Sequence, residues 1–104
     1  MAREKFKTLT EQMFYVLLCL KEECCGIDIL DRVPDMTGGQ VKVGSGTLYN
    51  LLEQFLEARL IRETAVSGRR RSYILTALGR EMLEREYQRI RRQVEDYGRV
   101  FGEE

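Results

Sequence analysis

The chain has 104 residues, of which 43% are hydrophobic, and this length predicts one small domain with a modest core. Its 17 basic and 17 acidic side chains balance, which excludes a nucleic-acid binder that is cationic over its whole surface. The absence of histidine excludes imidazole metal sites and deprives a serine or cysteine nucleophile of its usual base, so we expect no metal, no other cofactor and no enzymatic activity.

The first predicted helix follows Thr8-Leu9-Thr10-Glu11, which matches a capping box running from Thr8 to Glu11. Apolar residues then recur at helical spacing until the polar run at residues 21–23. They are Leu9, Met13, Phe14, Leu17, Leu18 and Leu20. This pattern predicts a helix that is buried along one stripe.

A second helix is predicted after Gly26, where Ile27, Leu30 and Val33 lie three residues apart. Proline disfavours helical geometry at the residue before it, so Pro34 predicts that this helix is short. The Gly38-Gly39 pair that follows marks a turn.

The third predicted helix begins near Ser45 or Gly46. Its apolar residues recur with the period of a helix and predict the face that meets the core: Leu48, Leu51, Leu52, Phe55 and Leu56. Thr47, Asn50 and Glu53 are left on other faces. A helix that starts with small polar groups can approach a phosphate backbone closely, so this helix is a candidate for nucleic-acid recognition.

Two strand-like runs, at residues 60–64 and 72–75, flank Ser67-Gly68-Arg69 and predict a β-hairpin with a basic tip. Residues 40–75 hold 6 basic and 3 acidic side chains, whereas residues 1–39 hold 5 and 7, and residues 76–104 hold 6 and 7. Positive charge therefore collects beside the third helix. An ordinary solvated loop is the alternative interpretation of the arginine run.

The last predicted helix is capped by Thr76 and runs to about Tyr97, before Gly98. Six of its residues follow alternating spacings of 4 and 3, which is a heptad seam: Leu83, Tyr87, Ile90, Val94, Tyr97 and Phe101. Such a seam needs a partner helix. We expect it to form the interface of a homodimer, with helix 1 contributing; packing on helix 1 of the same chain is the alternative.

Three helices, a hairpin and a fourth helix, in this order, predict a mostly α fold with a small β-wing. We expect a winged helix-turn-helix DNA-binding domain over residues 1–75 and a C-terminal dimerisation helix over residues 76–104. In that geometry the third helix lies in the major groove and the wing meets the neighbouring phosphates. A two-fold dimer then predicts a pseudo-palindromic operator in double-stranded DNA.

The predicted DNA-binding residues lie on the third helix, just before it and in the wing. They are Lys42, Ser45, Thr47, Tyr49, Asn50, Gly68, Arg69, Arg70 and Arg71. We expect Thr47 and Asn50 to bind base edges or phosphates, and the arginines to add affinity with little sequence information. Tyr49 is predicted either to donate to a phosphate or to pack under the wing.

Several motifs resemble those of the phenolic-acid-decarboxylase regulator (PadR) family of bacterial transcription factors. They are Leu9-Thr10-Glu11, Gly26-Ile27-Asp28-Ile29, Thr37-Gly38-Gly39, Gly44-Ser45-Gly46-Thr47-Leu48-Tyr49, Leu60-Ile61, Arg70-Arg71-Ser72-Tyr73-Ile74-Leu75-Thr76 and Gly79. Where many members carry His-Gly-Tyr, this chain has Cys25-Gly26-Ile27, and Ser45 stands where proline is common. The chain looks like the short branch of the family, which lacks a separate C-terminal helical domain.

The resemblance implies a dimeric, sequence-specific repressor of transcription that a small-molecule or stress signal releases, with an effector bound at the dimer interface. It matches Tyr73 to the strand that returns from the wing. A winged helix that contacts proteins without binding DNA is the alternative function. That alternative predicts an exposed apolar patch on the third helix in place of Thr47 and Asn50.

The cysteines and the N-terminus indicate the compartment. Residues 1–7 lack the apolar core of a signal peptide, and no run approaches the roughly 20 apolar residues that a membrane span needs. Cys19, Cys24 and Cys25 are odd in number and show no Cys-x-x-Cys spacing, so we expect no disulfide framework, a cytoplasmic protein and no membrane partner. A redox or soft-metal role for the adjacent Cys24 and Cys25 is weighed against ordinary burial of their thiols.

Overall fold

The computed structural model describes residues 7–102 and contains four helices and a three-stranded sheet within that range. The elements are α1 (Glu11–Cys19), β1 (Cys24–Cys25), α2 (Gly26–Thr37), α3 (Ser45–Glu57), β2 (Ile61–Ser67), β3 (Arg70–Leu75) and α4 (Ala77–Phe101). This order confirms the mostly α winged helix-turn-helix with a small β-wing and a long last helix.

Helix α1 begins two residues later than its predicted capping box. Thr10 is the N-cap: its hydroxyl accepts the Met13 N–H at 3.2 Å, and the Met13 sulfur accepts the Thr10 N–H at 3.5 Å. The prediction of Thr8 was wrong because Leu9 is buried in the core, and its N–H donates to Glu86 of α4 at 2.8 Å. That contact holds the chain extended where the helix was expected to start.

Helix α2 has 12 residues and continues through Pro34 to Thr37, so the prediction of a short helix was wrong. Burial of Val33 and the hydrogen bond from the Thr37 hydroxyl to the Val33 carbonyl, at 2.9 Å, support the last turn. Gly38 then ends the helix in the left-handed conformation, with φ at 62°. The preference of the residue before a proline for an extended backbone is a local effect, and at Val33 these contacts outweigh it.

Helix α3 agrees with its prediction in position and in orientation. It begins at Ser45, and its buried residues are Leu48, Leu51, Leu52 and Phe55. Thr47, Asn50 and Glu53 are exposed, as their places on the helix predict. Burial of four large side chains on one face fixes which face this helix presents outward.

The sheet has the strand order β1-β3-β2, with antiparallel pairing throughout. Strands β2 and β3 form the predicted hairpin, and its two-residue loop places Gly68 at φ 62°, a conformation that favours glycine. Strand β1 was not predicted. It consists of Cys24 and Cys25 only and exists through its pairing with Tyr73 and Ser72 of β3.

Helix α4 starts at the predicted cap, where the Thr76 hydroxyl accepts the Gly79 N–H at 3.1 Å. The predicted end near Tyr97 was wrong, because the helix continues through Gly98 to Phe101. A glycine inside a helix costs only about 1 kcal/mol, and Gly102 supplies the left-handed residue that ends the helix. The first turn of α4 packs on the start of the wing at Leu60, and Met82 belongs to the core.

The core lies between α1, α2, α3 and the inner face of the sheet. Its largest fully buried side chains are Phe55, Leu17, Leu20, Ile29, Leu48, Leu52, Val16 and Val33. Ile29 is buried, whereas Ile27, which the predicted pattern included, is 53% exposed. Among residues 7–102, no helix is both long and apolar enough to cross a membrane.

Candidate nucleic-acid interface

The amino end of α3 is open to solvent and free of negative charge. Gly44 is the N-cap without a side-chain cap, and the first turn contains no acidic residue. A Cβ atom built at Gly44 or Gly46 meets nothing within 4 Å. The first N–H groups of α3 are therefore positioned to meet an anion that approaches closely.

The outward face of α3 carries hydrogen-bonding groups. Asn50 is exposed, and its carbonyl oxygen accepts the Gln54 amide at 3.2 Å, a hydrogen bond that does not use the Asn50 NH₂ group. Thr47 is exposed one turn earlier. Thr47 and Asn50 thus place a hydroxyl and an amide group one turn apart on α3.

Lys42 lies in the segment before α3 and is exposed between two buried valines, Val41 and Val43. Its carbonyl accepts the Gln12 side-chain amide at 2.8 Å, which ties this segment to α1. Extended backbone points successive side chains to opposite sides, so burial of the two valines directs the Lys42 ammonium outward.

The three wing arginines have different surroundings. Arg71 forms a two-point ion pair with Glu63, at 2.6 and 3.3 Å, and its guanidinium carbon lies 5.8 Å from the centre of the Tyr73 ring. The hydrogen bond from Arg71 lowers the pKa of the Glu63 carboxyl. The positive charge of Arg71 is therefore offset within the wing itself.

Arg69 and Arg70 make no ion pair with any carboxylate among residues 7–102. Arg69 is exposed in the turn of the hairpin. Arg70 donates from Nη1 to the sulfur of Cys25 at 3.5 Å. These two guanidinium groups provide the unneutralised positive charge at the tip of the wing.

Tyr49 joins α3 to the start of α2. Its ring packs against Gly26, where an added Cβ would lie 3.0 Å from Cε1 of the tyrosine, and its side chain is 46% exposed. Together with the wing it borders an open groove of about 560 Å³. The groove is lined by Cys25, Gly26, Ile27, Tyr49, Ser67, Arg69, Arg70, Arg71 and Tyr73.

The exposed polar face of α3 thus lies next to the basic hairpin of a winged helix-turn-helix. Over residues 16–85 the chain matches the Transcriptional regulator PadR-like family. The chain belongs to the PadR-like family of transcriptional regulators. No curated protein matches it in sequence.

Solved structures resemble the fold of this PadR-like chain over most of its length. A PadR family transcriptional regulator from Eggerthella lenta has a TM-score of 0.75 at 19% identity, covering 86% of this chain and 80% of that one. A PadR family regulator from Clostridium difficile has a TM-score of 0.67 at 22% identity, covering 86% and 96%. RosR from H. salinarum has a TM-score of 0.65 at 20% identity, covering 90% and 97%.

The predicted seam on α4 is largely exposed in this PadR-like fold. Leu83 packs against the core, but the exposed fractions of Tyr87, Val94 and Phe101 are 50%, 65% and 69%. Val100, which the heptad pattern did not include, is 76% exposed. Beyond Leu83, every seam residue is therefore at least 38% exposed in the single chain.

The cysteines are free thiols with unequal surroundings. Cys19 and Cys24 belong to the core, and burial raises the pKa of both thiols, that of Cys19 to about 11. Cys25 is also buried, but it lies outside the core cluster and borders the groove. Neighbouring residues of a strand point to opposite faces, so Cys24 and Cys25 direct their thiols apart. Residues 7–102 contain no group of three side chains that could hold a metal ion.

Proposed function

We propose that this protein is a homodimeric, sequence-specific DNA-binding regulator of transcription. The observation that carries the proposal is the exposed polar face of α3 beside two unneutralised wing arginines. Thr47 and Asn50 would meet base edges or phosphates in the major groove, while Arg69 and Arg70 bind the phosphate backbone on either side. Lys42, Ser45, Gly68 and Arg71 would add further contacts to DNA.

The chemistry of α3 favours DNA over a protein partner. A protein-binding helix needs an exposed apolar patch. The only large apolar side chain in α3 that is strongly exposed is Tyr49, and its ring already packs against Gly26. The remaining exposed positions of α3 are small, polar or acidic, which fits a DNA groove better than an apolar protein surface.

The exposed seam of α4 supports dimerisation. Monomeric proteins rarely expose a continuous row of large apolar side chains, and the row here follows a heptad spacing that a second copy of α4 can match. We therefore place the dimer interface on the six seam residues and assign dimerisation to residues 76–104 and DNA binding to residues 1–75. A two-fold axis would set two α3 helices on one face of the duplex, so the operator would be pseudo-palindromic.

Membership of a family of transcriptional regulators supports control by a signal. The protein would repress transcription in the cytoplasm by occupying its operator, and a small-molecule or stress signal would release it. The dimer interface, which joins the two DNA-binding domains, is the place where a bound effector would change their spacing.

A selection of genomic fragments with purified full-length protein tests this function and returns the operator in one experiment. We expect enrichment of fragments that share an inverted repeat, and a dimer by sedimentation equilibrium. A stable monomer, or no binding to any duplex at about 50 mM salt, where phosphate contacts are strongest, contradicts the proposal. Binding of a protein partner through α3 without DNA binding would favour the alternative function.

A further inference from the structure

The wing carries three consecutive arginines, and the pleat of β3 separates two of them. Arg70 and Ser72 lie on one face of the strand, whereas Arg71 and Tyr73 lie on the other. The second face continues into the core, because Tyr73 is only 2% exposed. Arg70 and Arg71 therefore have different neighbours although they are adjacent in sequence.

The register of the sheet determines those neighbours. Cys25 of β1 pairs with Ser72, so Arg70, two residues before Ser72, is its diagonal neighbour on the same face. Glu63 of β2 pairs with Tyr73, so Arg71 is the diagonal neighbour of Glu63. A diagonal pair lies about 7–8 Å apart, which is within reach of a long side chain. Arg70 accordingly contacts Cys25, and Arg71 contacts Glu63.

The two contacts have opposite consequences for an anionic partner. The Glu63 carboxylate carries a full negative charge, which offsets the positive charge of Arg71. Its two oxygens accept hydrogen bonds from two nitrogens of the Arg71 guanidinium. A thiol is a weak acceptor, and that of Cys25 takes one N–H group from Arg70 at 3.5 Å. Arg70 is therefore held in place without losing its charge or its other donors.

The contact holds Arg70 at the groove beside the amino end of α2, which Arg69 and Arg71 also border. Strand β1 pairs only with residues 72 and 73 of β3, so the edge of β3 at Arg70 is open on that side. Cys25, Gly26, Tyr49 and Arg70 all border the groove at this edge. An anion in the groove would meet a guanidinium whose side chain is already ordered, which reduces the entropy lost on binding.

We propose that Cys25 is a positioning residue for DNA binding, which holds Arg70 so that it binds a backbone phosphate at the groove between the wing and α2. This inference rests on the proposed DNA binding. It makes Arg70 the principal phosphate contact among the three arginines, and it makes affinity for DNA depend on a thiol that lies outside the core.

A double-mutant cycle tests the proposal with the full-length protein and the selected operator. Dissociation constants are measured by fluorescence anisotropy at several salt concentrations for wild type, Cys25→Ala, Arg70→Ala and the double variant. Loss of one phosphate contact by Arg70→Ala should weaken binding roughly eightfold at about 0.1 M salt and lower the salt slope by about 1. Cys25→Ala should weaken binding by at least about threefold in the wild type and reduce the same slope, but change little in the Arg70→Ala background.

Two further variants separate positioning from a general effect on structure. Cys25→Ser keeps a hydrogen-bond acceptor and should restore most of the affinity that Cys25→Ala loses. The hydrogen bond of the Cys25 sulfur goes to Arg70 and not to Arg69, so the effects of Cys25→Ala and Arg69→Ala should add independently. Cys25 makes no side-chain cap to α2, and thermal unfolding should confirm that Cys25→Ala remains folded.

The outcomes distinguish this inference from the function on which it rests. Normal operator binding with an unaffected Cys25→Ala variant, or an equal loss in the presence and absence of Arg70, overturns the positioning role alone. Failure of the wild type to bind any duplex at about 50 mM salt overturns both proposals.

Discussion

At the scale of single residues, the effect of a charged side chain depends on its cross-strand neighbour. Three consecutive arginines look equivalent in sequence, yet their surroundings differ. Arg71 pairs with Glu63, Arg70 donates to the Cys25 thiol, and Arg69 lies in the turn. The formal charge of the wing therefore overstates the positive charge that it offers to a partner. The Glu63 carboxylate on β2 reduces that positive charge.

Removing that carboxylate should strengthen DNA binding. In Glu63→Gln, Arg71 is released from its ion pair and gains freedom to reach a phosphate. We expect tighter binding, with the salt slope steeper by up to about 1, in competition titrations at several salt concentrations. Glu22→Gln, which removes an exposed carboxylate after α1, is the matched control and should change binding much less. Equal affinity for Glu63→Gln and the control would mean that Arg71 stays away from DNA.

At the scale of secondary structure elements, two close contacts join α4 to the rest of the fold. At the first, an added Cβ on Gly79 would lie 2.1 Å from the Leu60 carbonyl oxygen, so the backbone of α4 passes directly over the start of the wing. At the second, Glu86, 3% exposed, accepts the Leu9 N–H and pairs with Arg89. Together they fix the direction in which α4 leaves the domain.

Substitution of Gly79 tests the first contact. Gly79→Ala places a methyl group against backbone that cannot yield without shifting α4, so we expect a loss of about 3 kcal/mol or more in the free energy of unfolding. Gly46→Ala, at an open helical position, should leave stability unchanged or raise it by up to about 1 kcal/mol. Denaturant titrations of the two variants give the comparison. Similar stability for both variants would show that α4 and the start of the wing are less closely packed than the Gly79–Leu60 contact indicates.

The second contact predicts a dependence on pH. Hydrogen bonds from Arg89 and from the Leu9 N–H lower the pKa of Glu86 below its ordinary value of 4.5. A carboxyl whose pKa is lowered by folding stabilises the protein above the unfolded pKa, and this contribution is lost as the pH falls through the folded pKa. Glu86→Gln should therefore cost about 1 kcal/mol at neutral pH, and its deficit relative to wild type should shrink below a pH of about 4.

Urea titrations from pH 7 to about pH 3 measure that deficit. Glu84→Gln is the control, since Glu84 is exposed on the same helix and should show no comparable trend. A deficit for Glu86→Gln that stays constant with pH would contradict a stabilising role for the ionised carboxylate.

At the scale of the whole molecule, α4 presents apolar side chains that the single chain does not cover. Tyr97 and Phe101 contact each other, with ring centres 4.8 Å apart, but both remain more than half exposed. Burial of such a row by a second copy would also set the distance between the two α3 helices. Dimerisation and operator recognition would then depend on the same helix.

Introducing a charge into the seam should separate the subunits. Val94 is 65% exposed, and Val94→Glu would place a carboxylate in the proposed interface, where burying an unpaired charge is costly. We expect a shift toward monomer in sedimentation equilibrium and at least about a tenfold loss of operator affinity. Arg92→Gln, which lies outside the seam, should remain dimeric. A dimer that survives Val94→Glu would place the interface elsewhere.

The sequence by itself determined the order of the helices, the core face of α3, the hairpin and the heptad row on α4. These follow from the spacing of apolar residues, from turn-forming glycines and from Thr76 at a helix start, which are all properties of neighbouring residues. The resemblance to the PadR family added the expectation of DNA binding. The same local signals were wrong for the start of α1, for the length of α2 and for the end of α4 near Tyr97.

Only the tertiary structure decided features that depend on partners far apart in the chain. The N-cap of α1 is Thr10 and not the predicted Thr8, because the Leu9 N–H donates to Glu86, 77 residues away. Strand β1 exists because β3 pairs with it, and that pairing brings Cys25 to Arg70, 45 residues further on. Residue type and spacing do not specify which side chains meet across a sheet. The contacts of the individual arginines were therefore fixed by strand register, which the folded chain alone defines.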